Sequence, residues 1–343
     1  MEINFHYHVT YTAAVAAGFS TDDALVIARA AQYVDECEQI TVQGNDVLFK
    51  GNILDTLSSS NDYIRRLLKI WPVFHFLPGD YTAIQASVNP NLRTSTVPRV
   101  RMAPPLICGT ESLLTAAIVD EAKAYYQSST GESGAQTQGL QRVGITMHVL
   151  ADTFAHQTFA GIPLGCINEV RDVNHGKFCK ELKRKWYFPF SYSPALTDSS
   201  FGYLGHGRIG HLPDMPGKFF TYAIEWNNSG WNTYIARYNP LEFYCAYLQM
   251  RDAMKHILSN SDPFPQRVDR RALLEEYKDE RSEAHRLMDA FERSPTDKDL
   301  PGNWYQAVSS ITHPRSTAAT TPWRSASCTT ASLPPRRITE KPS

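Results

Sequence analysis

The sequence predicts a mainly α-helical fold, a multi-helix bundle with long loops and a disordered C-terminal tail, and three observations support this. Apolar residues recur at helical spacing in segment after segment, and several of these segments carry recognisable start and stop signals. Residues 161–220 hold many Gly, Pro and aromatic residues with little periodicity, which predicts loops and short elements rather than a second core. From Pro314 the chain turns to Ser, Thr, Pro and Arg with almost no aliphatic residues, a composition that cannot bury enough surface to order.

The elements follow in order. "TYTAAVAAGFS" reads as an Ala-rich helix ending at Gly18, a residue suited to a helix C-terminus, with His6 and His8 at its start. "STDDALVIARAAQYVDE" has a Ser20/Thr21 cap, acids in its first turn, and apolar residues at Leu25, Ala28, Ala31 and Val34. It carries Asp35 at its end. "NDYIRRLLKIWPVFHFLPGD" predicts a shorter helix broken by Pro72, then a loop centred on His75. "TESLLTAAIVDEAKAYYQ" and "LQRVGITMHVLADTFAHQTFA" predict two long helices separated by the flexible loop "SSTGESGAQTQG". "NPLEFYCAYLQMRDAMKHILSN" and the charged, surface-exposed "DRRALLEEYKDERSEAHRLMDAFER" return to amphipathic helices. Together these place a single helical domain at 1–313 and the tail at 314–343.

The 343 residues are 42% apolar, enough to bury a core, and 34 Lys+Arg against 35 Asp+Glu leave a net charge of -1. That balance gives no global attraction to nucleic acid or anionic membrane, so no stable partner of either kind is expected. "MEINFHYHVTY" lacks the basic start and apolar run of a signal peptide, and no stretch approaches ~18 apolar residues. A cytoplasmic protein is expected. The six cysteines form no CxxC pair, which argues against a zinc finger or a dithiol redox site, and no GxSxG marks a serine nucleophile.

Histidine is more informative. In "HVLADTFAHQ", His148, Asp152 and His156 are spaced four apart, so on a helix they share one stripe about two turns long. Their neighbours Met147, Val149, Leu150, Phe154 and Phe159 are apolar, and an unpaired Asp buried among them would be costly. A divalent cation would neutralise it, since imidazole and carboxylate are ordinary zinc ligands. So would a metal-free network in which the two histidines or an Arg cap the Asp. Four further segments add donors: His6 and His8 in "HYHVTY", Asp35 in "AAQYVDE", His75 in "VFHFLPGD", and His206, His211 and Asp214 in "GHGRIGHLPD".

These same segments carry a resemblance. "NFHYHVTYTAAVAAGFSTDDALVIARAAQYVDE", "HFLPG", "HVLADTFAHQTFAG" and "GHGRIGHLPDMP" resemble, over roughly residues 3 to 290, a microbial and fungal family known as a domain of unknown function. The order of the His and Asp residues is more distantly similar to the zinc-dependent phospholipase C and single-strand nuclease superfamily. That wider resemblance implies a helical fold holding one to three zinc ions and hydrolysing phosphodiesters. It makes His6, Asp35, His75, His148, Asp152, His156, and one or both of His211 and Asp214 ligands, with His8 and His206 as spares. Secreted members begin with a Trp whose amino group and carbonyl bind zinc; here that contribution is expected to be absent or replaced.

Clustered divalent cations make a bound water acidic and hold phosphate oxygens. Asp35 and Asp152 would orient that water, and Arg208 would contact the phosphate or neutralise an Asp. Tyr33, Asn227 and Asn228 are candidates to support the ligands, and the aromatics of "KWYFPFSYSP" to line the mouth. The competing reading is a non-catalytic helical protein with a structural metal or a buried His/Asp network and an interaction role.

Overall fold

The computed structural model describes residues 1, 4–36, 41–43, 46–49, 71–79, 106–129, 131, 133–161, 169–179, 184–186, 209–225, 232–259, 264 and 267–312. The tail at 314–343 lies outside them. Among the described residues the chain is mainly helical, and no helix is long and apolar enough to cross a membrane.

A π-helical turn, Phe5–Val9, leads into α1 (Thr10–Ala17), which stops at Gly18 with φ 111°, a left-handed conformation open to glycine at no steric cost. Helix α2 (Thr21–Glu36) starts where the Ser20 hydroxyl accepts from the Asp23 N–H, and it buries Ala24, Ile27, Ala28, Ala31 and Val34. A two-stranded antiparallel sheet, β1 (Thr41–Gln43) and β2 (Asp46–Phe49), follows. Pro72 lies within α3 (Trp71–Phe74); the residues before Trp71, which carry the expected helix and its break, lie outside the described residues.

Helix α4 (Leu113–Ser128) is capped by the Ser112 hydroxyl, and α5 (Ser133–His156) begins inside the segment expected to be a flexible loop. Gly134 and Gly139 are absorbed into α5. Every residue from Thr146 to Ala160 is buried, as the apolar neighbours of the His/Asp stripe require. Gly144 sets the packing of α5 on α2: a Cβ there would stand 2.3 Å from the Ile27 carbonyl oxygen and 2.7 Å from the Ala30 Cβ. A Gly144→Ala variant is therefore expected to lose roughly 1–3 kcal/mol through overpacking, measured by urea unfolding. An unchanged midpoint would show that the two helices separate freely.

The largest departure from expectation comes next. The segment expected to hold loops without a second core contributes to a four-stranded antiparallel sheet. Its strands are β3 (Glu169–Cys179), β4 (Arg184–Trp186), β5 (Phe219–Glu225) and β6 (Asn232–Tyr238), in the order β4-β3-β5-β6. It supplies Val170, Val173, Phe220, Tyr222 and Ile235 to a second apolar cluster that also contains Trp71, Phe76, Ile107 and Phe159.

β6 runs directly into α6 (Asn239–Leu258). The charged segment expected as one exposed helix is two, α7 (Arg270–Glu276) and α8 (Glu283–Glu292), because the Ser282 hydroxyl accepts from the His285 N–H and starts a new helix. α8 is not a surface helix: Ala284, Leu287, Met288 and Phe291 are buried. A capping box at Thr296 and Asp299 precedes α9 (Leu300–Thr312), which buries Trp304 in the main core, its indole N–H donating to Thr12 Oγ1 at 2.9 Å. That main core joins α1, α2, α4, α5, α6, α8 and α9. Helix α5 runs through it, with Leu150 and Phe154 in the main core and Phe159, just past its end, in the second cluster.

Candidate metal centre

The stripe on α5 meets four other segments. The π-helical turn brings His6, the last turn of α2 brings Asp35, the end of α3 brings His75, and the turn 211–215 brings Asp214. Asp152 is the hub. Its Oδ1 lies 3.2 Å from His6 Nε2, while its Oδ2 lies 2.9 Å from His75 Nδ1, 3.3 Å from His148 Nε2 and 3.7 Å from His156 Nδ1. Asp35 closes the other side at 3.7 Å from both His6 and His148. Asp214 Oδ1 is 3.3 Å from His156 Nε2.

Main-chain carbonyls aim two of the rings. His148 Nδ1 lies 2.9 Å from the Ala31 carbonyl oxygen and His156 Nδ1 lies 2.5 Å from that of His75. A carbonyl only accepts, so each Nδ1 donates and each neutral ring turns its Nε2 lone pair inward, the arrangement that prepares histidine for a metal. The close approach of α2 and α5 at Gly144 is what brings Ala31 within reach of His148.

Several ring nitrogens are poorly satisfied. His6 Nδ1 and His75 Nε2 make no hydrogen bond although buried, and His6 Nε2 meets only the Asp152 and Asp35 carboxylates, at 3.2 and 3.7 Å and without hydrogen-bond geometry. His148 Nε2 and His75 Nδ1 face each other at 3.3 Å beside the same carboxylate oxygen. Buried polar atoms normally have partners, so these point to a ligand. Two groups place one donor atom per residue within 4.8 Å of one another: His6, Asp35 and His148, and His75, His148 and Asp152. Imidazole and carboxylate donors in this number could hold a metal ion.

Electrostatics leave room for positive charge. The α-amino group of Met1 lies 2.5 Å from Asp152 Oδ1 and 3.3 Å from Asp214 Oδ1. One ammonium against the carboxylates of Asp35, Asp152 and Asp214 leaves two negative charges for imidazolium or a bound cation to offset. Burial acts to raise the Asp152 carboxyl, but the Met1 ammonium and then His156 and His148 override it and hold it well below the usual range. Burial likewise lowers the Met1 amine, yet Asp152, Asp214 and Asp35 raise it to about 11. Burial, with His148 and the Met1 ammonium, lowers His6 to about 4, so it is neutral and able to ligate near pH 7. His148 is lowered by burial, but Asp152 and Asp35 prevail and raise it.

The predicted residues therefore divide. His6, Asp35, His75, His148, Asp152, His156 and Asp214 come together. His211 does not: it is exposed, and its carbonyl accepts from the Asp214 and Met215 N–H groups to close the turn that sends Asp214 inward. His8 points the other way, to Tyr305 Oη at 3.0 Å. Tyr33, proposed as a support, is exposed. His206, Arg208, Asn227, Asn228 and most of "KWYFPFSYSP" lie outside the described residues. The carbonyls of Ala31 and His75, which accept from His148 and His156, are contacts without a sequence signal.

No curated protein and no solved structure matches the chain. A match spans residues 1–332, and on it the chain belongs to the Family of unknown function (DUF6765).

Proposed function

We propose that the protein is a divalent-metal-dependent hydrolase acting on phosphate esters, with zinc as the leading candidate metal. The observation that carries this reading is the pair of donor groups sharing His148, His6/Asp35/His148 and His75/His148/Asp152. His148 Nε2 has one lone pair and serves one ion at a time, but the five residues of the two groups, with His156 and Asp214 beside them, make seven donors, more than one closed four-ligand site needs. When bound, divalent cations would make a coordinated water acidic and polarise a phosphoryl oxygen.

The chain's own residues supply the rest. Asp35 is 24% exposed at its side chain, against 9% or less for His6, His75, His148, Asp152, His156 and Asp214, so it marks the side from which substrate enters and is placed to accept a proton there. Asp152, with an oxygen turned to each group, holds His6, His75 and His148 in one arrangement.

A second reading has its own observation. The Met1 ammonium already lies against Asp152 and Asp214, as it would in a metal-free polar core with an interaction role. Hydrolysis separates the two. With zinc supplied, the unmodified protein is expected to cleave bis-p-nitrophenyl phosphate or a phospholipid, and a His148→Ala, Asp152→Ala double variant to fall to background. Equal rates in the two proteins would remove this site from catalysis.

A further inference from the structure

The junction of β6 and α6 holds two buried polar residues, Arg237 and Asn239, whose donors reach backbone on either side of the candidate centre. The Arg237 guanidinium donates to the carbonyls of Ala155 at 3.1 Å and Phe154 at 2.8 Å. These belong to the last turn of α5, where carbonyls have no partner within the helix and a cation is favoured. His156 is the last residue of that turn. The two amide hydrogens of Asn239 serve the carbonyls of Leu212 and Met215, each at 2.8 Å, with the Pro213 carbonyl sharing one of them at 3.3 Å. They flank Asp214 on both sides.

The same helix end is held in a second way. Thr158, two residues past His156, has φ 77°, a conformation that is unfavourable for a β-branched residue. Its hydroxyl lies 2.7 Å from the Tyr222 hydroxyl on β5, and its N–H donates to the Cys108 carbonyl at 2.9 Å. The chain thus leaves α5 along one over-determined path.

We infer that Arg237 and Asn239 are positioning residues of the metal centre. Arg237 fixes the helix end that presents His156, Asn239 fixes the turn that presents Asp214, and together they set the 3.3 Å approach of those two side chains. This rests on the metal-binding part of the function proposed above. Neither residue touches the ligand itself; each acts through the backbone that carries a ligand.

The test compares zinc affinity, by competition with a chromophoric chelator, for Asn239→Ala and Arg237→Lys, the latter keeping the charge but losing the two-pronged geometry. Each variant is expected to weaken zinc binding by about 10–100-fold. Asn239→Ala should have almost no further effect in an Asp214→Ala background, and Arg237→Lys almost none in a His156→Ala background. Equal losses in both backgrounds would make the two residues general structural supports, and no loss at all would remove them from the centre; either overturns the proposal. If Asn239→Ala fails to fold, Asn239→Ser, which keeps one donor, replaces it.

A metal-free arm keeps the result separate from the metal reading. In chelator-treated protein with ¹⁵N-labelled histidine, both variants should move the ring signals of His156 and leave those of His285 in place. If the unmodified protein takes up no zinc, the metal reading fails and this arm alone decides: an unmoved His156 ring overturns the positioning role, and a moved one upholds it.

Discussion

Asp152→Ala in chelator-treated protein is expected to lower the free energy of unfolding by about 3–5 kcal/mol, the cost of breaking a buried ion pair from one side. The carboxylate is 1% exposed and faces the Met1 ammonium, His6, His75 and His148 at 3.3 Å or less. Removing it strands an ammonium and leaves His75 Nδ1 against His148 Nε2 without the acceptor they share. Urea unfolding of the two proteins measures the difference. A Gln141→Ala control, at an exposed position of α5, should change stability by no more than about 0.5 kcal/mol. A loss below about 1 kcal/mol for Asp152→Ala would show that Asp152 is not the hub.

Acid should unfold the metal-free protein in a defined window. His6 is lowered from 6.5 to about 4 in the folded protein, so as pH falls from 6.5 the unfolded chain takes up the proton first and stability drops until about pH 4. A shift of that size corresponds to about 3 kcal/mol. The carboxyls of Asp152 and Glu242 act in the same sense. Burial would raise both, but the Met1 ammonium and nearby histidines for Asp152, and Arg270 for Glu242, hold them low. Their contribution is present above the ordinary carboxylate range and is lost as pH falls through their depressed values. His148 runs the other way: its value is raised, so its contribution is full below 6.5 and fades as pH rises above that. Burial also lowers His8 to about 4, so the two histidines share this acid loss. A His6→Gln variant should remove part of the change in urea midpoint between pH 6.5 and 4 and leave the part due to His8; an unaltered profile would contradict the buried, neutral state of His6.

Much of the centre was legible because helix geometry is regular. Spacings of four put His148, Asp152 and His156 on one face, and the apolar residues around them required burial. The side a turn faces is not encoded in this way. His211 and Asp214 are three residues apart in one turn, and it is tertiary packing, with Leu212 buried in the second cluster, that leaves His211 exposed and Asp214 buried. Asp35 was legible as a donor at the end of α2, but its distance from α5 was not; Gly144 brings α2 close enough to α5 to make it part of the cluster.

The sheet was illegible for a local reason. Val170 and Val173, both buried, are three apart on β3 because the pairing with β5 shifts between Arg171 and Asn174, and this hides the period of two that announces a strand. Helix α9 lies in a segment to which no element was assigned; it begins with "LPGNW", a composition shared with turns, and Pro301 sits in its first turn, where proline is tolerated. Arg237 gave no signal at all, since a strand arginine ordinarily faces solvent.

Zinc stoichiometry tests the central claim most directly. After dialysis against zinc near neutral pH and removal of loosely held ions, the unmodified protein is expected to retain at least one zinc per chain and the His148→Ala, Asp152→Ala double variant essentially none. Substoichiometric zinc in the unmodified protein, or equal retention by the two, would contradict it.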